Sequence, residues 1–163
     1  MSDSLIFKVG GIAGHPGQKR DFSGAQRIHA EVLDSVMDDE MTVTGTFTGT
    51  VDGVEADYTV TASIDLVCTR CLTEWSTLLE AKGNQHFSRI PDEDGYAIIE
   101  GTVDMSGPAT DELVLSIPLA PVCRPDCKGL CPICGTDLNT DPCDGHGDDS
   151  DSPFAPLKDL FDS

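Results

Sequence analysis

Val43-Thr-Gly-Thr-Phe47-Thr-Gly-Thr-Val51-Asp52-Gly53, followed closely by Tyr58-Thr-Val-Thr-Ala-Ser-Ile-Asp-Leu66, is the stretch that decides the fold. In its first half Val43, Gly45, Phe47, Gly49 and Val51 alternate with threonines. In its second half Tyr58, Val60, Ala62, Ile64 and Leu66 alternate with Thr59, Thr61, Ser63 and Asp65. A period of two sends every second side chain to one face of a pleated strand. Asp52-Gly53 between the halves is a hairpin-turn signal. The stretch therefore reads as a two-stranded antiparallel hairpin with one buried face.

Further strands extend this hairpin in both directions. Residues 75–87 read as a strand that continues the sheet, residues 90–95 as an acidic loop and residues 96–100 as a short strand. Upstream, Leu5, Phe7 and Val9 alternate as in an edge strand. Residues 10–24, rich in Gly, Pro and charge, read as an exposed loop. Residues 28–37 are apolar at mixed spacing, and Asp38-Asp39-Glu40 is expected to break that run. Downstream, residues 104–108 read as a loop or helix entry with Asp104 or Ser106 as a cap, and Leu113, Val114 and Ile117 fit one helical face within 109–117. Pro118 and Pro121 end it. The expected fold is a β-rich α+β domain over residues 1–122, an antiparallel sheet with a helix. A cysteine-rich, zinc-binding C-terminal extension over 123–146 follows. Residues 147–163 complete the chain with an acidic linker and an apolar tail, the latter expected to dock on its own domain or on a partner. No internal repeat is evident.

The 163 residues suit one domain of ordinary size. No stretch approaches the roughly 20 apolar residues of a membrane span. The N-terminus carries only Leu5-Ile-Phe7 as an apolar cluster, far short of a secretory signal, so a cytoplasmic location is expected. There thiols stay reduced, and seven cysteines, an odd number, argue against a disulfide framework. The net charge is -19. Residues 1–89 carry seven Lys/Arg against thirteen Asp/Glu, and residues 90–163 three against sixteen. Such a field repels nucleic-acid phosphates and suits a basic protein partner, although solubility in a salty interior accounts for it equally well.

The second strand of the hairpin runs straight into Cys68-Thr-Arg-Cys71. Farther on come Cys123-Arg-Pro-Asp-Cys127-Lys-Gly-Leu-Cys131-Pro-Ile-Cys134 and then Cys143. A Cys-x-x-Cys loop turns both sulfurs to one side, the arrangement a tetrahedral zinc ion needs. Gly135 can take the positive φ such a loop often requires, and Pro132 stiffens it. Two ligand schemes follow. In the first, Cys68, Cys71, Cys123 and Cys127 form one site, and Cys131, Cys134, Cys143 and His146 form another. In the second, Cys68, Cys71, Cys131 and Cys134 form a single ribbon. The first is favoured because it uses every cysteine. Sulfur-rich ligands point to a structural rather than a catalytic ion. A thioredoxin-like pair would need a βαβ setting that these flanks lack.

Arg70, Arg124 and Lys128 sit in or beside the cysteine motifs, three of only ten basic residues. They would offset the charge of bound thiolates or equally serve as a small RNA-contacting island. His15, His29 and His86 read as surface histidines, and Trp75 as a core anchor beside the metal rather than a base-stacking platform. No catalytic triad, phosphate loop or carboxylate pair stands out, so no catalytic residue is assigned.

Leu66-Val-Cys68-Thr-Arg-Cys71-Leu, Asp111-Glu-Leu-Val-Leu-Ser-Ile-Pro118-Leu-Ala-Pro121-Val-Cys123, Cys127-Lys-Gly-Leu-Cys131-Pro-Ile-Cys134-Gly-Thr-Asp-Leu-Asn139 and Ser152-Pro-Phe154-Ala-Pro-Leu157 together resemble the YceD family, the large ribosomal RNA subunit accumulation proteins. The resemblance covers about residues 60–160, with a looser echo in Arg20-Asp-Phe-Ser-Gly24. It implies a non-enzymatic role in accumulation or processing of large-subunit ribosomal RNA, and hence in ribosome biogenesis. Family members are often encoded beside a zinc-ribbon protein of the large subunit. That implies a basic ribosomal protein or a pre-ribosomal particle as partner, with limited RNA contact. Relatives that lack the Cys-Pro-x-Cys-Gly module keep the first Cys-x-x-Cys, which agrees with two separable sites. Relatives with the full tail often end it Cys-x-Cys, whereas here Asp144-Gly-His146 follows Cys143. Two other readings are an RNA-processing enzyme or its subunit, and a thiolate-based zinc or redox sensor.

Overall fold

Alternation of the kind seen at 43–66 runs through more of the chain than its composition suggests, and strands dominate the structure. The computed structural model describes residues 5–32, 35–91, 93, 95–143 and 145–146. The elements are β1 (Ile6–Lys8), β2 (Lys19–Val32), β3 (Ser35–Gly49), β4 (Gly53–Val67), β5 (Glu74–Ser88), β6 (Tyr96–Ala97), β7 (Thr102–Asp104) and α1 (Ser106–Leu115). Strands β2 to β5 form an antiparallel meander, and β6 adds to β5 in parallel, giving the order β2-β3-β4-β5-β6. β1 and β7 pair as a second, two-stranded sheet. The fold is therefore α+β and β-rich, as the sequence suggests.

One face of the large sheet is the core. Val43 sits opposite Val60, Phe47 opposite Ala56 and Val60 opposite Ala81, so the apolar set of each strand falls on the same side. Helix α1 packs on this face against β4 and β5, burying Pro108, Ala109 and Leu113. Phe7, Phe22 and Phe47 tie β1, β2 and β3 together, with the Phe22 and Phe47 rings stacked at 4.1 Å. Tyr58 spans the layers. A Cβ on Gly83 of β5 would meet its ring, so the absence of a side chain there makes room for it. Its hydroxyl donates to the Pro108 carbonyl at 3.1 Å, fixing the first turn of α1 over the sheet. The opposite face is polar and carries Asp21, Asp57 and Asp65, each hydrogen-bonded to a neighbour across the ladder.

Three expectations change. Residues 19–24, read as part of an exposed loop, belong to β2, which buries Phe22 on the core face while charged neighbours face water. Asp38-Asp39-Glu40 does not break the chain but lies within β3. The acidic run sits where pairing with β4 shifts register between Val36 and Thr42, while pairing with β2 continues unbroken and Met37 and Met41 stay buried. The helix starts at Ser106 rather than 109, because Pro108 is tolerated in a first turn. The N-cap position is Met105, and Asp104 assists from one residue earlier by accepting the Ser106 N–H at 2.9 Å. The linker and tail expected at 147–163 lie outside the described residues.

Candidate metal centres

The turn joining β4 to β5 is itself the first Cys-x-x-Cys loop. Val67 and Glu74 are the last paired residues, and Cys68 to Thr73 close the hairpin. The Leu72 N–H donates to the Cys68 carbonyl at 2.9 Å, and the Cys68 N–H to the Thr73 carbonyl at 3.0 Å. Leu72 takes φ +59°, an uncommon conformation for a residue with a side chain. The Thr73 hydroxyl lies 3.3 Å from the Cys71 sulfur.

The same knuckle occurs a second time. Leu130 bridges Asp137, the Gly135 N–H donates to the Cys131 carbonyl at 2.9 Å, and the Cys131 N–H to the Thr136 carbonyl at 2.8 Å. Gly135 takes φ +73°, and Thr136 lies 3.1 Å from the Cys134 sulfur. Cys68-Thr-Arg-Cys-Leu-Thr73 and Cys131-Pro-Ile-Cys-Gly-Thr136 are thus one local fold. The sequence expectation of no repeat misses it; the available signal was the threonine two residues after each second cysteine.

Two quartets of ligand atoms result. Cys68, Cys71, Cys123 and Cys127 form an inner group, and Cys131, Cys134, Cys143 and His146 a tail group, with the ligand atoms of each within 4.8 Å of one another. The sulfur–sulfur separations are 3.9 Å for Cys68–Cys127, 3.7 Å for Cys71–Cys123 and 3.8 Å for Cys134–Cys143. A tetrahedral ion with metal–sulfur bonds of about 2.3 Å has sulfur–sulfur edges of about 3.8 Å. The same spacings are far too long for disulfides, which need about 2.05 Å. His146 Nε2 lies 3.1 Å from the Cys143 sulfur. Cys131 and Cys134 are not brought to the first pair, so the atoms group as in the two-site scheme rather than the ribbon.

The electrostatics prepare these thiols for a cation. Cys68 is pulled down to about 6, first by the backbone N–H of Cys123, and Cys71 is lowered first by the Thr73 hydroxyl. Cys123 is pushed up to about 12 by burial and by its three neighbours. In the tail group, Cys134 falls to about 6 through the Thr136 hydroxyl and backbone, and Cys131 is lowered by the backbone N–H of Cys134. At Cys143 the Gly145 N–H pulls down, but burial and the adjacent sulfurs outweigh it and the thiol is raised. His146 is raised by the Cys134 sulfur. Mixed protonation within one quartet is what crowded sulfurs adopt until a cation replaces the protons.

The two centres differ in exposure. Cys68 is fully buried, and Trp75, Val122 and Leu130 pack against the inner group. In the tail group Cys134 and His146 are exposed. Trp75 fills the anchor role expected of it, packing between the metal group and the sheet core.

The three basic residues are placed by local hydrogen bonds. Arg70 Nη1 donates to the Cys127 carbonyl at 2.9 Å, and its own carbonyl accepts the Leu130 N–H. Gly129, just before Leu130, sits at φ +75°, and a Cβ there would press on the Arg70 carbonyl. Arg124 Nη2 donates to Asn139 Oδ1 at 2.8 Å and pairs with Asp126. The Lys128 backbone N–H donates to the same Asn139 oxygen, and the residue is exposed. His15, His29 and His86 are exposed and belong to neither quartet.

Comparison with known proteins adds a family and no structural relative. Residues 56–161 match the family described as "Large ribosomal RNA subunit accumulation protein YceD". Similar proteins include an uncharacterized protein of Mycobacterium leprae, 36% identical over 112 residues, covering 63% of this chain and 51% of the relative. Another is an uncharacterized protein of Mycobacterium bovis, 34% identical over 103 residues, covering 58% and 49%. The chain spans about half the length of these curated relatives. No solved structure matches it.

Proposed function

The chain belongs to the YceD family of large ribosomal RNA subunit accumulation proteins, and from this premise we propose that it is a non-enzymatic, zinc-stabilised binding factor in ribosome biogenesis. The observation that carries the zinc reading is the spacing of the two quartets, which matches the edges of a zinc tetrahedron. Four protein ligands at each centre leave no open position for a substrate or an activated water, so the ions fix shape.

The partner is a basic ribosomal protein or a pre-ribosomal particle, met in the cytoplasm. A net charge of -19 and the acidic outer face of the sheet support this. RNA contact is limited, because Arg70 and Arg124, though exposed like Lys128, are committed to hydrogen bonds within the metal region. Gradient sedimentation of cell extract tests the proposal. The protein should travel with large-subunit precursors, and its depletion should lower large-subunit relative to small-subunit ribosomal RNA. Cosedimentation with mature small subunits alone, or cleavage of ribosomal RNA by the purified metal-loaded protein, would refute it.

A second reading has one observation in its favour. The exposure of Cys134 and His146 suits a centre that surrenders its ion when peroxide oxidises two of its thiolates to a disulfide. Release of zinc by mild peroxide together with loss of particle binding would favour that sensor.

A further inference from the structure

Asn139 belongs to neither quartet, yet it touches the surroundings of both. Its backbone N–H and its Nδ2 both donate to Asp137 Oδ1, at 2.9 and 2.7 Å, which anchors it to the second knuckle. Nδ2 also lies 3.6 Å from the sulfur of Cys127, a member of the inner quartet. Oδ1 accepts the Lys128 N–H at 2.9 Å and Arg124 Nη2 at 2.8 Å, so it also holds the loop that carries Cys127. The amide orientation is fixed by this network. Two donors face the oxygen and two acceptors face the nitrogen, and a flipped amide would lose all four contacts. The seam is an open groove lined by Thr73, Cys123, Asn139 and Thr140, so directed hydrogen bonds rather than deep packing join the knuckles here.

We propose that Asn139 is a positioning residue that couples the two metal centres. Folding of the second knuckle around its ion sets Asp137, Asp137 sets the carboxamide, and the carboxamide presents an N–H to the Cys127 thiolate while bracing residues 124–128. A hydrogen bond to a metal-bound thiolate disperses its charge and orients it, the task outer partners perform in metal sites. The ion at the exposed tail centre therefore strengthens binding at the buried inner one. By reciprocity the inner ion strengthens the tail centre by the same factor. The inference rests on metal occupying both quartets.

Cobalt(II) titration against a competing chelator tests this, since four thiolates and three thiolates with an imidazole give distinguishable visible spectra. Asn139→Ala is expected to weaken the inner centre by about 10- to 100-fold and to move its sulfur-to-cobalt charge-transfer band to longer wavelength. Removing the tail centre with Cys134→Ser and Cys143→Ser should weaken the inner centre comparably. Combining the changes should cost no more than the larger alone, because both act through one contact. Should Asn139→Ala fail to fold, Asp137→Ala decides, for it touches no inner ligand and is still expected to weaken the inner centre. Unchanged inner affinity after removal of the tail centre, or in a folded Asn139 or Asp137 variant, overturns the proposal. Two ions bound with independent affinities overturn the coupling and leave the metal reading standing. A chain that takes up no metal overturns both.

Discussion

Leu72 and Gly135 occupy the same place in two copies of one turn, and they separate backbone cost from side-chain contribution. Both follow the second cysteine of a knuckle with φ above +50°. A left-handed residue bearing a Cβ is disfavoured by roughly 1–2 kcal/mol. Nothing lies within 4 Å of where a Cβ on Gly135 would fall, so Gly135→Ala should cost about 1 kcal/mol, read by denaturant unfolding of the metal-loaded protein. Leu72 is 63% exposed and gains little from burial. Leu72→Gly should shift stability the other way, by a smaller amount because glycine also loosens the unfolded chain. Tyr58 offers a pH readout. Burial, then Glu112, pushes its phenol up to about 12. The unfolded chain releases this proton near pH 10 while the fold retains it, so the stabilisation is complete below pH 10 and declines from there to about 12. Tyr58→Phe should flatten that alkaline decline in unfolding curves taken from pH 9 upward. An unchanged slope would show that the hydroxyl is not held as described.

At the scale of elements, sheet and knuckles are separate packing units joined at Trp75. The sheet core draws on β1 to β5, β7 and α1, whereas the buried cysteines form their own cluster with Val122 and Leu130. Chelation should therefore release residues 118–146 and leave β2 to β5 folded. Hydrogen exchange is expected to show lost protection at Thr69, Leu130 and Cys131 with Val43 and Val60 still protected; collapse of both together would contradict this. The hairpin was legible in sequence because threonine alternates with apolar residues without interruption across Asp52-Gly53. β2 and the first half of β3 were not, because charged residues on the wet face and the register shift beside Asp38-Asp39-Glu40 mask the period. The cysteine pairs were legible from spacing. Their shared six-residue turn was hidden because the two copies differ at the left-handed position, Leu in one and Gly in the other.

Over the whole molecule, chain topology rather than local spacing decides which sulfurs meet. Pro118 and Pro121 turn the chain after α1, and the Pro121 carbonyl accepts both the N–H and the hydroxyl of Thr69, seating Cys123 beside the first knuckle. That docking makes Cys123 and Cys127 partners of a hairpin more than fifty residues upstream and leaves Cys131 and Cys134 to a second centre. No pairing rule within the 123–134 run contains that information, so two schemes stood open from sequence. The central claim, two separable metal centres in one chain, is tested most directly by elemental analysis of the purified protein. Two zinc ions per chain are expected, and one remaining after either Cys68→Ser or Cys131→Ser. A single ion abolished by either substitution would contradict it.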